Sequence, residues 1–136
     1  MARLMSVAFT EQAVRERRKT VTRRKGWWED KHGRRLLHPG DRLTLCRKVM
    51  GRKPGEPLER ICEVKVVDVR REPLGRVVNQ GELTKEGFPE WDGQSIVGPR
   101  RFIDAYFVPQ GLDYFDNVTR IEWIYLDSGD LEETQQ

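Results

Sequence analysis

Histidine and cysteine are scarce, with two of each in 136 residues. Neither histidine stands near a serine or cysteine in a recognisable nucleophile context, which excludes a histidine-based triad, and no HExxH, P-loop or Rossmann glycine pattern occurs. Cys46 and Cys62 lack a CxxC or a paired histidine spacing, and His32 and His38 only flank a loop. No metal site and no cofactor are therefore expected. Both cysteines lie in strand-like runs and read as reduced, buried thiols. Long apolar runs are also missing. The opening segment after Met1-Ala2-Arg3-Leu4 is too short for a secretory core or a membrane span. These absences predict a soluble, cytoplasmic chain with no membrane partner. A cytoplasmic chain would not meet the glycosylation enzyme that reads Asn117-Val118-Thr119.

What is present is charge. Apolar residues make up 37% of the chain and charged residues 35%. Aromatic and β-branched residues are nevertheless spread along it, which argues against disorder. The length suits one domain, residues 1–126, followed by an acidic, frayed tail, 127–136. The net charge is only +3, but its distribution is uneven: residues 15–35 carry ten Lys or Arg against three acids, and the tail carries four acids and no base. A basic N-terminal third implies a polyanion-facing surface, for a nucleoside or RNA partner.

Periodicity outlines the elements. Residues 4–9 read as a strand and 12–18 as about two helical turns after Thr10 as a cap. A loop from Lys25 to the Pro39-Gly40-Asp41 turn precedes a strand over 42–47. Residues 60–70 form the clearest strand. Neither of its parities is apolar throughout, so it twists, bulges or is covered on both faces. A short helical turn over 83–89 is stopped by Gly87 and Pro89. A helix over 98–107 presents Phe102, Ile103, Tyr106 and Phe107 on one face, and 118–126 is a last strand. Strands with two or three short helices indicate an α+β or small-barrel architecture.

The densest chemistry lies in Arg18-Lys19-Thr20-Val21-Thr22-Arg23-Arg24. In an extended chain Arg18, Thr20, Thr22 and Arg24 share one face, and Lys19, Val21 and Arg23 the other. Lysine beside a threonine hydroxyl can generate a nucleophile, and nearby arginines can hold a phosphate. Bringing Lys19 to Thr22 requires a turn or bulge. Lys19 acts as a base only if burial or neighbouring cations lower its pKa; otherwise it is a phosphate contact.

Lys19-Thr20-Val21-Thr22-Arg23-Arg24 after a strand and short helix resembles the Lys-Thr-x-Thr-x-Arg segment of the ASCH domain family. The turn and strand at 39–45, the long strand at 61–69, the helix end Lys85-Glu86-Gly87-Phe88 and the final strand at 120–124 follow in the family's order. The resemblance spans residues 3–126. It implies a PUA-like fold: an α+β, small β-barrel with two or three peripheral short helices and an RNA-facing cleft. Many members carry Glu where Thr22 stands; threonine there is similar to the subgroup that includes the bacterial N4-acetylcytidine amidohydrolase. By position, the resemblance implies Lys19, Thr22 and Glu86 as a catalytic set. It implies Arg24 as a substrate-binding residue; in the mechanism expected of this set, Arg24 or a backbone N–H stabilises the oxyanion. Arg17 replaces the family's glycine, the 25–38 loop is longer, and Glu82 and Glu90 flank Glu86. Arg18, Thr20 and Arg23 join the expected binding set. Trp27 and Trp28, in a basic loop, are expected to divide between stacking on bases and covering the open end of the barrel. Three readings stay open: an amidohydrolase of acylated nucleobases, an RNA-binding module without chemistry, and a ribonuclease using Lys19 and Glu86.

Overall fold

The computed structural model describes residues 2–93 and 95–126; the acidic tail lies outside the described residues. Five strands form one mixed sheet: β1 (Arg3–Ser6), β2 (Val21–Arg24), β3 (Arg42–Cys46), β4 (Arg60–Pro73) and β5 (Asn117–Tyr125). Their order is β1-β3-β4-β5-β2. β1 pairs with β3 in parallel, and the other three pairings are antiparallel. Three short helices accompany the sheet: α1 (Glu11–Arg15), α2 (Glu82–Glu86) and α3 (Val97–Tyr106).

β4 is the spine. Its fourteen residues pair with β3 in their first part and with β5 along most of their length. The register shifts between Val66 and Asp68. Of the three outcomes its broken parity left open, this is the bulge: Val64 and Val66 point inward before it, Val69 after it. One core lies inside the curl of the sheet and gathers Met5, Leu43, Leu45, Val64, Val69, Ile121 and Trp123. A second lies under α2 and α3 and gathers Leu74, Leu83, Phe88, Phe102, Ile103 and Phe107. α3 buries the apolar face expected of it, with Tyr106 half-buried at its edge.

Several boundaries differ from the expectation. β1 ends at Ser6, and a 3-10 turn occupies Ala8–Thr10. α1 ends at Arg15, because Arg17 takes a left-handed conformation (φ 60°) while Arg17 N–H donates to Val14 O and Arg18 N–H to Ala13 O. That closing turn is where glycine fits without steric cost. β4 runs on to Pro73, past the expected end at 70.

Candidate functional site

The segment before β2 is clamped from both sides. Thr20 N–H donates to Lys85 O at the end of α2 (2.8 Å), and Trp123 N–H on β5 donates to Thr20 O (2.9 Å). The Lys19 carbonyl accepts from Trp123 Nε1 (3.0 Å) and from the Tyr125 hydroxyl. These bonds fix where the Lys19 side chain leaves the backbone. Strand alternation then holds through β2. Lys19 and Arg23 turn toward α2, whereas Thr22 and Arg24 turn to the opposite face, in register with Ile121 and Thr119.

α2 supplies the acidic partner. Its five residues lie between Gly81 and Gly87, both left-handed, and the Asp92 carboxylate accepts from Gly81 N–H, Thr84 N–H and the Thr84 hydroxyl. Glu86, the last helical residue, is buried. Lys19 Nζ donates to Glu86 O (2.6 Å) and to Glu86 Oε1 (3.3 Å), and Arg23 Nη1 donates to Glu86 Oε2 (2.9 Å). The gap left by Gly87 is needed there: a Cβ on it would lie 3.2 Å from Ala13 Cβ.

Behind this pair lies a buried ionic cluster. Antiparallel register sets Arg23 opposite Arg120 and Arg120 opposite Arg70, three arginines abreast across β2, β5 and β4. Like charges so placed repel, and carboxylates separate them. Glu82 bridges Arg23 and Arg120; its bonds from Arg120 are 2.8 Å and 3.2 Å. Glu72 bridges Arg23 (3.0 Å) and Arg70 (2.8 Å). Burial is the largest single influence on the Glu82 carboxyl and favours its neutral form, but hydrogen bonds and attraction from Arg120 and Arg23 outweigh it and hold the pKa near 2. Lys19 responds the other way. Burial above all, with repulsion from Arg24 and Arg23, overrides the attraction of Glu86 and pushes its pKa down to about 8.

A cavity of about 220 Å³ opens at the edge of β2 and brings Lys19, Thr22, Arg23, Arg24 and Glu86 to one wall. The turn that Lys19 and Thr22 required is absent. They reach the same space from opposite faces of β2, an edge strand. No hydrogen bond joins Lys19 Nζ to Thr22 Oγ1 among the described residues; Thr22 Oγ1 accepts instead from Arg24 Nε (3.1 Å). Aromatic rings complete the wall: Phe9, Phe88, Phe102, Tyr106 and Phe107.

The other expected residues lie elsewhere. Arg18 is exposed and paired with Glu16 (2.7 Å). Thr20 does not line the cavity; it serves the clamp. Neither Trp27 nor Trp28 lines it. Both pack against the inner core, and the Trp28 ring lies under the Arg35 guanidinium, 3.5 Å from the centroid. Four contributors were not singled out in the sequence: Arg120, Glu72, Phe9 and Lys25. Two signals were available. Glu82 and Glu86 stand at i, i+4, on one helix face, and Arg120 stands in a strand-like run between Thr119 and Ile121.

No family model and no curated protein matches this sequence significantly. Among solved structures, the chain is similar to protein EF3133 from Enterococcus faecalis V583, a representative of the DUF984 family. The match has 14% identity and a TM-score of 0.59, and covers 98% of this chain and 81% of that one. At this identity the likeness is one of fold. The chain adopts the expected α+β, PUA-like architecture, a curled five-stranded sheet with three short helices. No described helix is long and apolar enough to cross a membrane, and the described residues contain no cluster of metal-binding side chains.

Proposed function

We propose that the cavity at the edge of β2 hydrolyses the amide of an acylated nucleobase such as N4-acetylcytidine, with Thr22 as nucleophile and Lys19 as base. The observation that carries this reading is the convergence of Lys19, Thr22, Arg24 and Glu86 on one small, aromatic-walled space. Its volume lies below the roughly 300–1,000 Å³ of ordinary ligand pockets, which suits one base better than a run of nucleotides.

The steps follow from the residues. With a pKa near 8, about a tenth of Lys19 is neutral at pH 7. Neutral Lys19 takes the proton of the Thr22 hydroxyl as Oγ1 attacks the amide carbonyl. Lys19 then returns that proton to the departing amine, and the acyl group stays on Thr22. Water, deprotonated by Lys19, releases the acid and restores the hydroxyl. Glu86 holds Lys19 through both its carbonyl and its carboxylate. Arg24 binds substrate beside Thr22. The separation of Lys19 from Thr22 in the empty cavity is compatible with this route, because catalytic hydrogen bonds often tighten only once substrate is bound.

The test is hydrolysis of N4-acetylcytidine, followed by chromatography, for the wild type and for Lys19→Ala, Thr22→Ala and Glu86→Ala, with folding checked by circular dichroism. Turnover should vanish in the first two and fall at least a hundredfold in the third. In the wild type kcat/KM should rise through pH 8 and level above it, since the neutral amine is the active form. A wild type that turns over nothing, yet binds RNA with steep salt dependence, would replace this reading with that of a binding module.

A further inference from the structure

We infer that the ligand of this cavity carries an oxyanion group, phosphate or carboxylate, that docks on Arg24 beside Thr22. The inference rests on the cavity reading above. Four cations line the cavity, Lys19, Arg23, Arg24 and Lys25, against one acid, Glu86. Glu86 is engaged by Lys19 and Arg23, and Arg23 has Glu72 and Glu82 besides. For the other two, Glu86 acts on Arg24 only through space, and no carboxylate bonds to either among the described residues. Arg24 donates only to neutral oxygens, Nε to the Thr22 hydroxyl and Nη2 to Ser6 O (2.7 Å). Lys25 Nζ donates to Gln110 O (3.1 Å). Neither cation meets a carboxylate among the described residues.

Lys25 is exposed and water can serve its charge, so it is the half-buried Arg24 that calls for a partner. Burial is the main influence on the Arg24 pKa and lowers it, with Glu86 working against it, yet a guanidinium does not give up its proton in a protein. Charges taken out of water are ordinarily paired. Arg23, one residue away, shows that the fold supplies partners where a cation is structural. The guanidinium fork matches the two oxygens of a carboxylate or phosphate. A carboxylate on the acyl group would dock there close to the reacting carbonyl, a phosphate would reach Arg24 from the ribose end of the ligand, and the aromatic wall takes the flat remainder. Two sources of this chemistry are a phosphate on the nucleotide and a carboxylate on the acyl group.

Titration calorimetry of the full chain with inorganic phosphate, and separately with acetate, tests this at 20 and 200 mM salt. One anion should bind with a stoichiometry of one. Arg24→Gln should weaken it at least tenfold, Arg24→Lys less, and Lys25→Gln two- to threefold; thermal unfolding of each variant establishes that it is folded. Preference for phosphate assigns a phosphorylated ligand, and preference for acetate an acyl group bearing a carboxylate. Binding of neither anion overturns the inference, as does binding unchanged in both Arg24→Gln and Lys25→Gln. Turnover of N4-acetylcytidine without anion binding would sink this inference and leave the hydrolase standing, with Arg24 serving the transition state alone. Anion binding without turnover of any acylated cytidine would do the reverse.

Discussion

Arg23 and Arg24 are neighbours on one short strand and have opposite surroundings. Arg23 is fully buried and contacts Glu72, Glu82 and Glu86. Arg24 is half-buried and meets a hydroxyl and a carbonyl. Strand alternation alone separates them. On the Arg23 face the sheet is packed against α2, where an unpaired charge would cost several kcal/mol. Both arginines line the cavity at the strand's edge, but Arg24 meets only neutral oxygens there. Two residues of identical chemistry thus differ in their partners: Arg23 is held by three carboxylates, and Arg24 is the one that the proposal above leaves for a ligand.

The strongest way to break this comparison is to remove the acid that serves the structural face. Glu82→Ala leaves Arg23 and Arg120 without their shared partner and should cost about 3–5 kcal/mol in urea unfolding. Arg24→Ala forfeits two hydrogen bonds to neutral acceptors and should cost about 1–2 kcal/mol while abolishing ligand binding. Equal losses would mean that Arg24 is structural as well. Glu82 also confers acid sensitivity. Its pKa is depressed to about 2, so its contribution is complete above the ordinary carboxyl value and is lost as pH falls from about 4.5 through about 2.

Gly87→Ala sharpens the comparison at the hinge between the two faces. The residue sits at φ 104°, and its Cβ would press on Ala13. A loss of about 1–2 kcal/mol is expected by thermal unfolding, with a drop in turnover as the Glu86 carbonyl shifts from Lys19. The smallest expected effect is a gain. Arg17→Gly relieves a left-handed arginine at the cost of a cation–π contact with Tyr125 (5.7 Å). The net stabilisation should be about 0.5 kcal/mol, and turnover should be unchanged because Arg17 does not line the cavity.

Much of this architecture was legible in the residues. β3, β5 and α3 lie within a residue or two of where periodicity puts them, and the broken parity of residues 60–70 left a bulge among its outcomes without placing it between Val66 and Asp68. What escaped is physically specific. The end of β4 is written Arg70-Arg71-Glu72-Pro73, which reads as a surface turn until β5 pairs with it and α2 faces it. The early end of α1 depends on one backbone angle at Arg17, in a run where propensity favours helix. Part of the site was visible, since Lys19, Thr22, Arg24 and Glu86 all line one cavity. The pairing of Lys19 with Glu86 rather than Thr22 depends on the helix opposite, and sequence spacing carries no trace of it. The roles of Arg120 and Glu72 are set by cross-strand register, a long-range property.

The three arginines abreast also bear on how the chain finds its pairing. Slipping β2 by one residue against β5 would turn Arg23 away from Glu72, Glu82 and Glu86 and bring Thr22 to them instead. Hydrophobic residues tolerate such a slip better, because one aliphatic side chain can replace another. The ionic row is less tolerant in that direction, since Thr22 brings the carboxylates no charge, whereas the opposite slip would offer them Arg24. The cluster therefore penalises the slip that sets Thr22 among the carboxylates, because Glu72, Glu82 and Glu86 would then be buried with one guanidinium fewer.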